Sequence, residues 1–266
     1  MNSLNDVLKH LAADIEEVAA LVENLDDAAW RTETPAPGWS VADQIAHLTF
    51  VFNLARTAAA DPQAFQAITT AAAGNFDGAV NAALQQFNSF PPKELLARFR
   101  ALGTASVDAL AAVPEGQVVP WLVNPLPPAV LACAGIMELF GHGQDIADAL
   151  GTRRQPTERL RNIVDFAWLT RDFGYQSHGL TPPAEPFRFE LTAPSGEIWT
   201  VGPEGAETIT GPAHDFCLLV TRRRHRDDLA LTATGERAEE WLNIAQAYRG
   251  PAGEGRTPGQ FADAAR

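Results

Sequence analysis

The stretch PAPGWSVADQIAHLTFVFNLA, Pro35 to Ala55, decides how the first half of the chain is read. Pro35, Pro37 and Gly38 make a turn, and Ser40 follows as an N-cap with Asp43 at the capping-box position three residues on. Val41, Ile45, Leu48 and Phe52 then recur along one stripe at helical spacing. The pattern predicts a helix over roughly Val41 to Ala59, buried on one face and therefore in need of partners.

Three further long helices supply them. Leu4, Leu8, Leu11, Ile15, Val18 and Val22 mark a first helix from about Ser3 to Leu25, opened by a Ser3/Asp6 capping box. PPKELLARFRALGTASVDALAAV opens on Pro91 and Pro92 and carries Leu95, Leu96, Phe99, Leu102, Val107 and Leu110 toward a core. Pro127 and Pro128 start a fourth helix that ends near Gly151. Between Asp61 and Phe90 the chain is rich in Ala, Gln and Asn and is interrupted by Gly74 and Gly78, which predicts one or two short covering helices.

The second half has another texture. RFELTAPSGEIWTVGPEGAETITG alternates polar and apolar residues around Pro194, Ser195 and Gly196, a hairpin pattern. A helix is predicted from Pro212 to Arg222, a short strand near Leu229 to Ala233, and a helix from Glu236 to Ala247. The expected architecture is α+β: an antiparallel four-helix bundle over 1–152, a smaller α+β domain over 153–250, and a mobile Gly-, Pro- and Arg-rich tail over 251–266.

Composition narrows the function classes. Of 266 residues, 46% are hydrophobic and 20% charged, the balance of a globular protein with a sizeable core. The net charge of −13 argues against a general binder of nucleic acid or anionic membrane. RRRHRDD, which would otherwise suggest nucleic acid, closes on Asp227 and Asp228 and reads as a solvated turn or small-anion site. The run without charge from Gln117 to Met137 contains Pro120, Asn124, Pro125, Pro127 and Pro128, so it reads as a loop entering a buried helix rather than a membrane span. Acidic residues in MNSLNDVLKHLAADIEEV do not fit an export signal. Cys133 and Cys217 stand far apart in apolar surroundings and read as reduced, buried and cytosolic.

The chemistry concentrates in MELFGHGQDIADALG, Met137 to Gly151. Glu138 and His142 are four apart, which on a helix sets their Cβ atoms ~6 Å apart on one face, and Asp145 extends that face. Glycine inside a helix costs about 1 kcal/mol relative to alanine, so Gly141 and Gly143 on either side of His142 ask for a reason. Close approach of a neighbouring helix to His142 would supply it. Catalytic zinc commonly takes three protein ligands from His and carboxylate, and His47, mid-helix beside the apolar stripe, is the candidate third. Asp145 is placed to orient His142 from behind. Trp39 and Trp121 read as packing residues, and Trp121 is also a cofactor-binding candidate that would line the pocket mouth. His178, His214 and His225 have no partner spacing.

PGWSVADQIAHL followed about ninety residues later by MELFGHGQDIADALG resembles the DinB-like superfamily, in its mycothiol-dependent maleylpyruvate isomerase branch. ITGPAHDFCLLVTRRRHR and EEWLNIAQAYRGPAGEGR are similar to later segments of a metal-binding subgroup, so the resemblance covers nearly the whole chain. It implies a bundle followed by a sterol-carrier-like α+β domain, with a divalent metal, zinc first, on His47, Glu138 and His142. It implies mycothiol as thiol cosubstrate and an arginine after the second domain's helix that binds an anion, matched by Arg222 with Arg224 in reserve. The chain departs from the family pattern at Gly135 and Phe140, where an arginine and a tryptophan are expected near the pocket.

The implied activity is isomerisation or S-conjugation of a small electrophile by a cytoplasmic monomer or homodimer, with no nucleic-acid or membrane partner. A thiol-independent metal-dependent hydrolase or cyclase is the alternative enzyme. A non-catalytic small-ligand carrier is the third reading, disfavoured because structural zinc is normally closed by four ligands.

Overall fold

The structure, a computed structural model, describes residues 2–72, 75–122 and 124–261. Gly74, one of the two expected interruptions before Phe90, lies outside the described residues, as do the last five positions of the tail. The chain divides into two compact units, one over Asn2–Thr152 and one from Arg153 onward.

The first unit is helical. Helices α1 (Leu4–Val22), α2 (Val41–Ala60), α5 (Pro92–Ala111) and α6 (Pro128–Leu150) form the bundle, and α3 (Pro62–Ala72) and α4 (Phe76–Asn88) pack on α2. Each long helix begins where its sequence signal lies. Ser3 caps α1, and Ser40 and Asp43 form the reciprocal capping box of α2. Prolines open α5 and α6 in the first turn, where a missing N–H costs nothing. Gly151, in the left-handed conformation with φ 62°, closes α6. The turn before α2 is set by Gly38 at φ 77° and by the Thr34 N–H, which donates to the Trp39 carbonyl at 2.8 Å.

Leu11, Ile15 and Val18 of α1, Ile45, Leu48 and Phe52 of α2 and Phe99 of α5 are buried in the bundle core. Gly135 belongs to this packing rather than to an open pocket: a Cβ there would lie 3.2 Å from Leu11 Cδ1 and 3.6 Å from Phe52 Cε1. An arginine at 135 has no room without displacing α1 or α2, and Phe140 is buried as well. Both departures from the family pattern are thus accommodated as core positions.

The second unit carries a four-stranded sheet in the order β2-β1-β3-β4. Strands β1 (Arg188–Thr192) and β2 (Ile198–Val201) form the expected hairpin, with Phe189 opposite Val201 and Thr192 opposite Ile198. Strand β3 (Thr208–Pro212) runs parallel to β1, and β4 (Thr232–Thr234) antiparallel to β3. Strand β4 begins three residues beyond the predicted Leu229, after a short turn over Arg226–Asp228.

Two helices here were not anticipated: α7 (Leu160–Leu169), with Leu160, Ile163, Val164 and Ala167 buried, and the short α8 (Asp172–Ser177). Helices α9 (Ala213–Val220) and α10 (Glu236–Ile244) are somewhat shorter than predicted. Helix α10 stops where Ala245 turns extended, and the buried Gln246 amide donates to the carbonyls of Tyr248 and Gly250. Phe187, Phe189, Phe216 and Trp241 cluster in the core with centroids 4.7–5.9 Å apart. Beyond α10, the Gly259 N–H donates to the Asp228 carboxylate at 2.8 Å. Among the described residues, no helix is long and apolar enough to cross a membrane.

Candidate metal centre

Helix α2 presents His47 and α6 presents Glu138 and His142, and the packing of these two helices brings all three together. Glu138 Oε2 lies 3.1 Å from His142 Nε2 and 3.6 Å from His47 Nε2, and the three potential ligand atoms are all within 4.8 Å of one another. A tetrahedral ion held at about 2.0–2.1 Å sets its donor atoms roughly 3.3–3.4 Å apart, so the spacing fits a divalent ion with small adjustment. Two imidazoles and one carboxylate leave a fourth position for another ligand. The side chains are 19, 25 and 14% exposed for His47, Glu138 and His142, so the cluster is sheltered but not sealed from solvent.

Glu138 is electrostatically committed. Burial pushes its carboxyl upward, but the hydrogen bonds and charges of His142 and His47 outweigh burial and hold it well below the usual carboxylate range. It is anionic at neutral pH.

The tryptophan before α2 is part of this centre. The Trp39 ring stacks on His142 with centroids 5.8 Å apart and meets His47 edge-on at 5.3 Å, while the two imidazoles are 4.5 Å apart. Gln44, fully buried one turn before His47, holds the other side of His142: its Oε1 is 2.5 Å from Nδ1. The Nδ1 acceptor expected from Asp145 is therefore supplied from α2, and Asp145 is buried further along α6. His47 Nδ1 is buried without a hydrogen-bond partner among the described residues, an arrangement native proteins rarely keep without a reason.

The remaining predicted residues have their own surroundings. Trp121 stacks on Phe65 of α3, centroids 5.8 Å apart and planes 11° apart, where a packing role accounts for it. Arg222 follows α9 at φ 59°, the one non-glycine residue with positive φ among those described. Its guanidinium donates to Gln246 Oε1 at 3.5 Å and the Gly253 carbonyl at 3.4 Å, both uncharged, and among the described residues no carboxylate pairs with it. Arg224 lies 3.8 Å over the Phe261 ring. Sequence reasoning missed Gln44 and assigned Trp39 to packing. Both stand inside the stretch that defines α2, but nothing in their spacing singled them out.

The family model for the mycothiol maleylpyruvate isomerase N-terminal domain matches residues 11–147, and one for wyosine base formation matches residues 183–234. Two uncharacterised proteins of Mycobacterium tuberculosis, from strains CDC 1551 / Oshkosh and ATCC 25618 / H37Rv, are each 44% identical over 92% of this chain and 96% of their own length. The crystal structure of a mycothiol-dependent maleylpyruvate isomerase shares the fold, with a TM-score of 0.59 at 15% identity over 87% of this chain and 93% of that one. A histidine-to-alanine mutant of that isomerase aligns with the same TM-score at 14% identity. With just over half of its 266 residues inside the first family model, the chain belongs to the mycothiol maleylpyruvate isomerase N-terminal domain family.

Proposed function

We propose that the protein is a metal-dependent enzyme that uses mycothiol to isomerise or S-conjugate a small, carboxylated or conjugated electrophile. The observation that carries this reading is the His47–Glu138–His142 cluster, whose donor set and spacing suit a zinc-like ion with one position left for a thiol. A divalent ion bound there favours the deprotonated form of a coordinating thiol at neutral pH. Glu138 contributes a fixed negative charge, and the two imidazoles contribute neutral nitrogen donors. Trp39 walls one side and keeps water from the histidine faces.

In the isomerase form, the thiol sulfur adds to a cis double bond conjugated to a carbonyl and leaves again after rotation, so no atom is gained. In the transferase form the sulfur stays on the product. In the second unit, Arg222 is the proposed anion-binding group, because among the described residues its charge meets neutral acceptors and its backbone is held in an uncommon conformation. Arg224 is its reserve.

Calorimetric titration of mycothiol into zinc-loaded and zinc-stripped protein tests the reading. Binding is expected only to the loaded form, and absence of binding to both would sink the thiol-dependent proposal in favour of a thiol-independent hydrolase or cyclase. With maleylpyruvate as probe, Arg222→Ala is expected to raise the substrate concentration needed about 10- to 100-fold, the loss expected for one charged hydrogen bond. Arg222→Lys should recover part of that, and an unchanged KM in Arg222→Ala would remove the arginine from the substrate site.

A further inference from the structure

We infer that Gln44 is a positioning residue that sets the tautomer of His142, keeping the proton on Nδ1 and turning the Nε2 lone pair toward Glu138. The inference rests on the proposed metal centre and assigns a part in it to a residue with no ligand atom of its own.

The argument runs along a chain of directional hydrogen bonds. The Thr34 hydroxyl donates to the Trp39 carbonyl at 2.7 Å, which leaves its oxygen lone pairs to accept. The group that Gln44 turns toward Thr34 is therefore the amide NH2, and Nε2 donates to Thr34 Oγ1 at 2.9 Å. The opposite end of the amide, facing His142, is then the carbonyl oxygen. A carbonyl only accepts, so His142 Nδ1 carries the hydrogen. Gln44 is fully buried and cannot exchange these partners for water, so reversing the amide would set NH2 against a protonated Nδ1 and leave the Thr34 end with two acceptors.

The consequence falls on the other ring nitrogen. In neutral imidazole with Nδ1 protonated, Nε2 is a bare lone pair, and here it faces a carboxylate oxygen at 3.1 Å. Two acceptors at that distance call for a proton or a cation between them. Ligating histidines usually give their second N–H to a carboxylate, a backbone carbonyl or water. This chain uses a neutral amide on the neighbouring helix, itself oriented through Thr34 by the backbone of the turn that delivers Trp39. One segment, Thr34 to His47, thus supplies a ligand, the ring stacked on the other histidine and the group that orients it.

The test compares wild type with Gln44→Leu, Gln44→Glu and Thr34→Val by competition titration with zinc and by 1H–15N correlation of the histidine rings in zinc-free protein. Wild type is expected to show a slowly exchanging His142 Nδ1–H, and Gln44→Leu to lose it and bind zinc about 10- to 100-fold more weakly. Gln44→Glu, which restores an acceptor, should recover the Nδ1–H signal and most of the affinity, an outcome that a merely space-filling role for Gln44 would not produce. Thr34→Val should fall between wild type and Gln44→Leu. An unaltered Nδ1–H signal and unaltered zinc affinity in Gln44→Leu would overturn the inference. Wild type that takes up no zinc but shows a Gln44-dependent Nδ1–H would refute the proposed function while upholding the relay, so the two failures are distinguishable.

Discussion

Replacing His142 by alanine is expected to leave a folded protein that retains little zinc, where the wild type carries about one equivalent per chain. Structural zinc sites with four ligands bind with roughly 10–16 kcal/mol, so each ligand is worth on the order of 3–4 kcal/mol and its removal weakens binding by about 10²- to 10³-fold. Alanine at His47 or Glu138 should act similarly, because each supplies one donor to a cluster of three. Elemental analysis after dialysis against a weak chelator checks this. Full zinc content in His47→Ala and His142→Ala would show that the metal binds elsewhere.

The same centre sets a pH dependence whose sign follows from the charges. Glu138 is held ionised far below neutrality by the two histidines, so its protonation does not release metal on mild acidification. Protons compete instead for the imidazole nitrogens, and zinc occupancy is expected to fall as pH falls. In zinc-free protein the lowered Glu138 carboxyl contributes stability that is complete above the unfolded carboxylate range and disappears as pH drops through the folded value. Glu138→Gln without metal should therefore be destabilised at neutral pH and converge on wild type in strong acid, followed by denaturant titration.

The second large effect is expected in the other unit. Trp241 is fully buried against Phe187, Phe189 and Phe216, and its indole Nε1 donates to the Arg171 carbonyl at 2.9 Å. Trp241→Ala removes the largest ring of the cluster and leaves that carbonyl without its donor, which should cost about 3–5 kcal/mol. For a unit of this size the transition should fall by roughly 10 °C or more, read by calorimetry. Trp241→Phe keeps an aromatic ring and should lose much less. A fall of only a degree or two in Trp241→Ala would mean that the aromatic cluster adds little to the stability of the sheet.

Much of the helical unit was legible in advance for reasons local to the chain. Capping residues, proline starts and an apolar stripe act over three to eleven residues, so α1, α2, α5 and α6 begin within a residue or so of their signals. The hairpin of β1 and β2 was legible for the same reason. Helix α7 was also within reach, since Leu160, Ile163, Val164 and Ala167 repeat at helical spacing. The parallel pairing of β1 with β3 was not, because no local pattern specifies which strand lies beside which.

The candidate centre divides along the same line. Glu138 and His142 are neighbours by helical geometry alone, and the four-residue spacing that places them on one face is written in the sequence. Gly135 shows the opposite case: it stands one turn before Glu138 in sequence, yet its surroundings are Leu11 and Phe52 on two other helices. Whether His47 reaches Glu138, and whether a glutamine 98 residues away orients His142, depends on the register of α2 against α6. That register is settled by interdigitating side chains and by glycines that admit close approach, interactions that exist only once the helices have packed. The sequence by itself determined the four long helices of the bundle and the pair of candidate ligands one turn apart. The sequence nominated His47 as the candidate third ligand, but tertiary packing decided whether it reaches the other two and which tryptophan and amide surround them, because cross-helix distances are set by the core and not by local spacing.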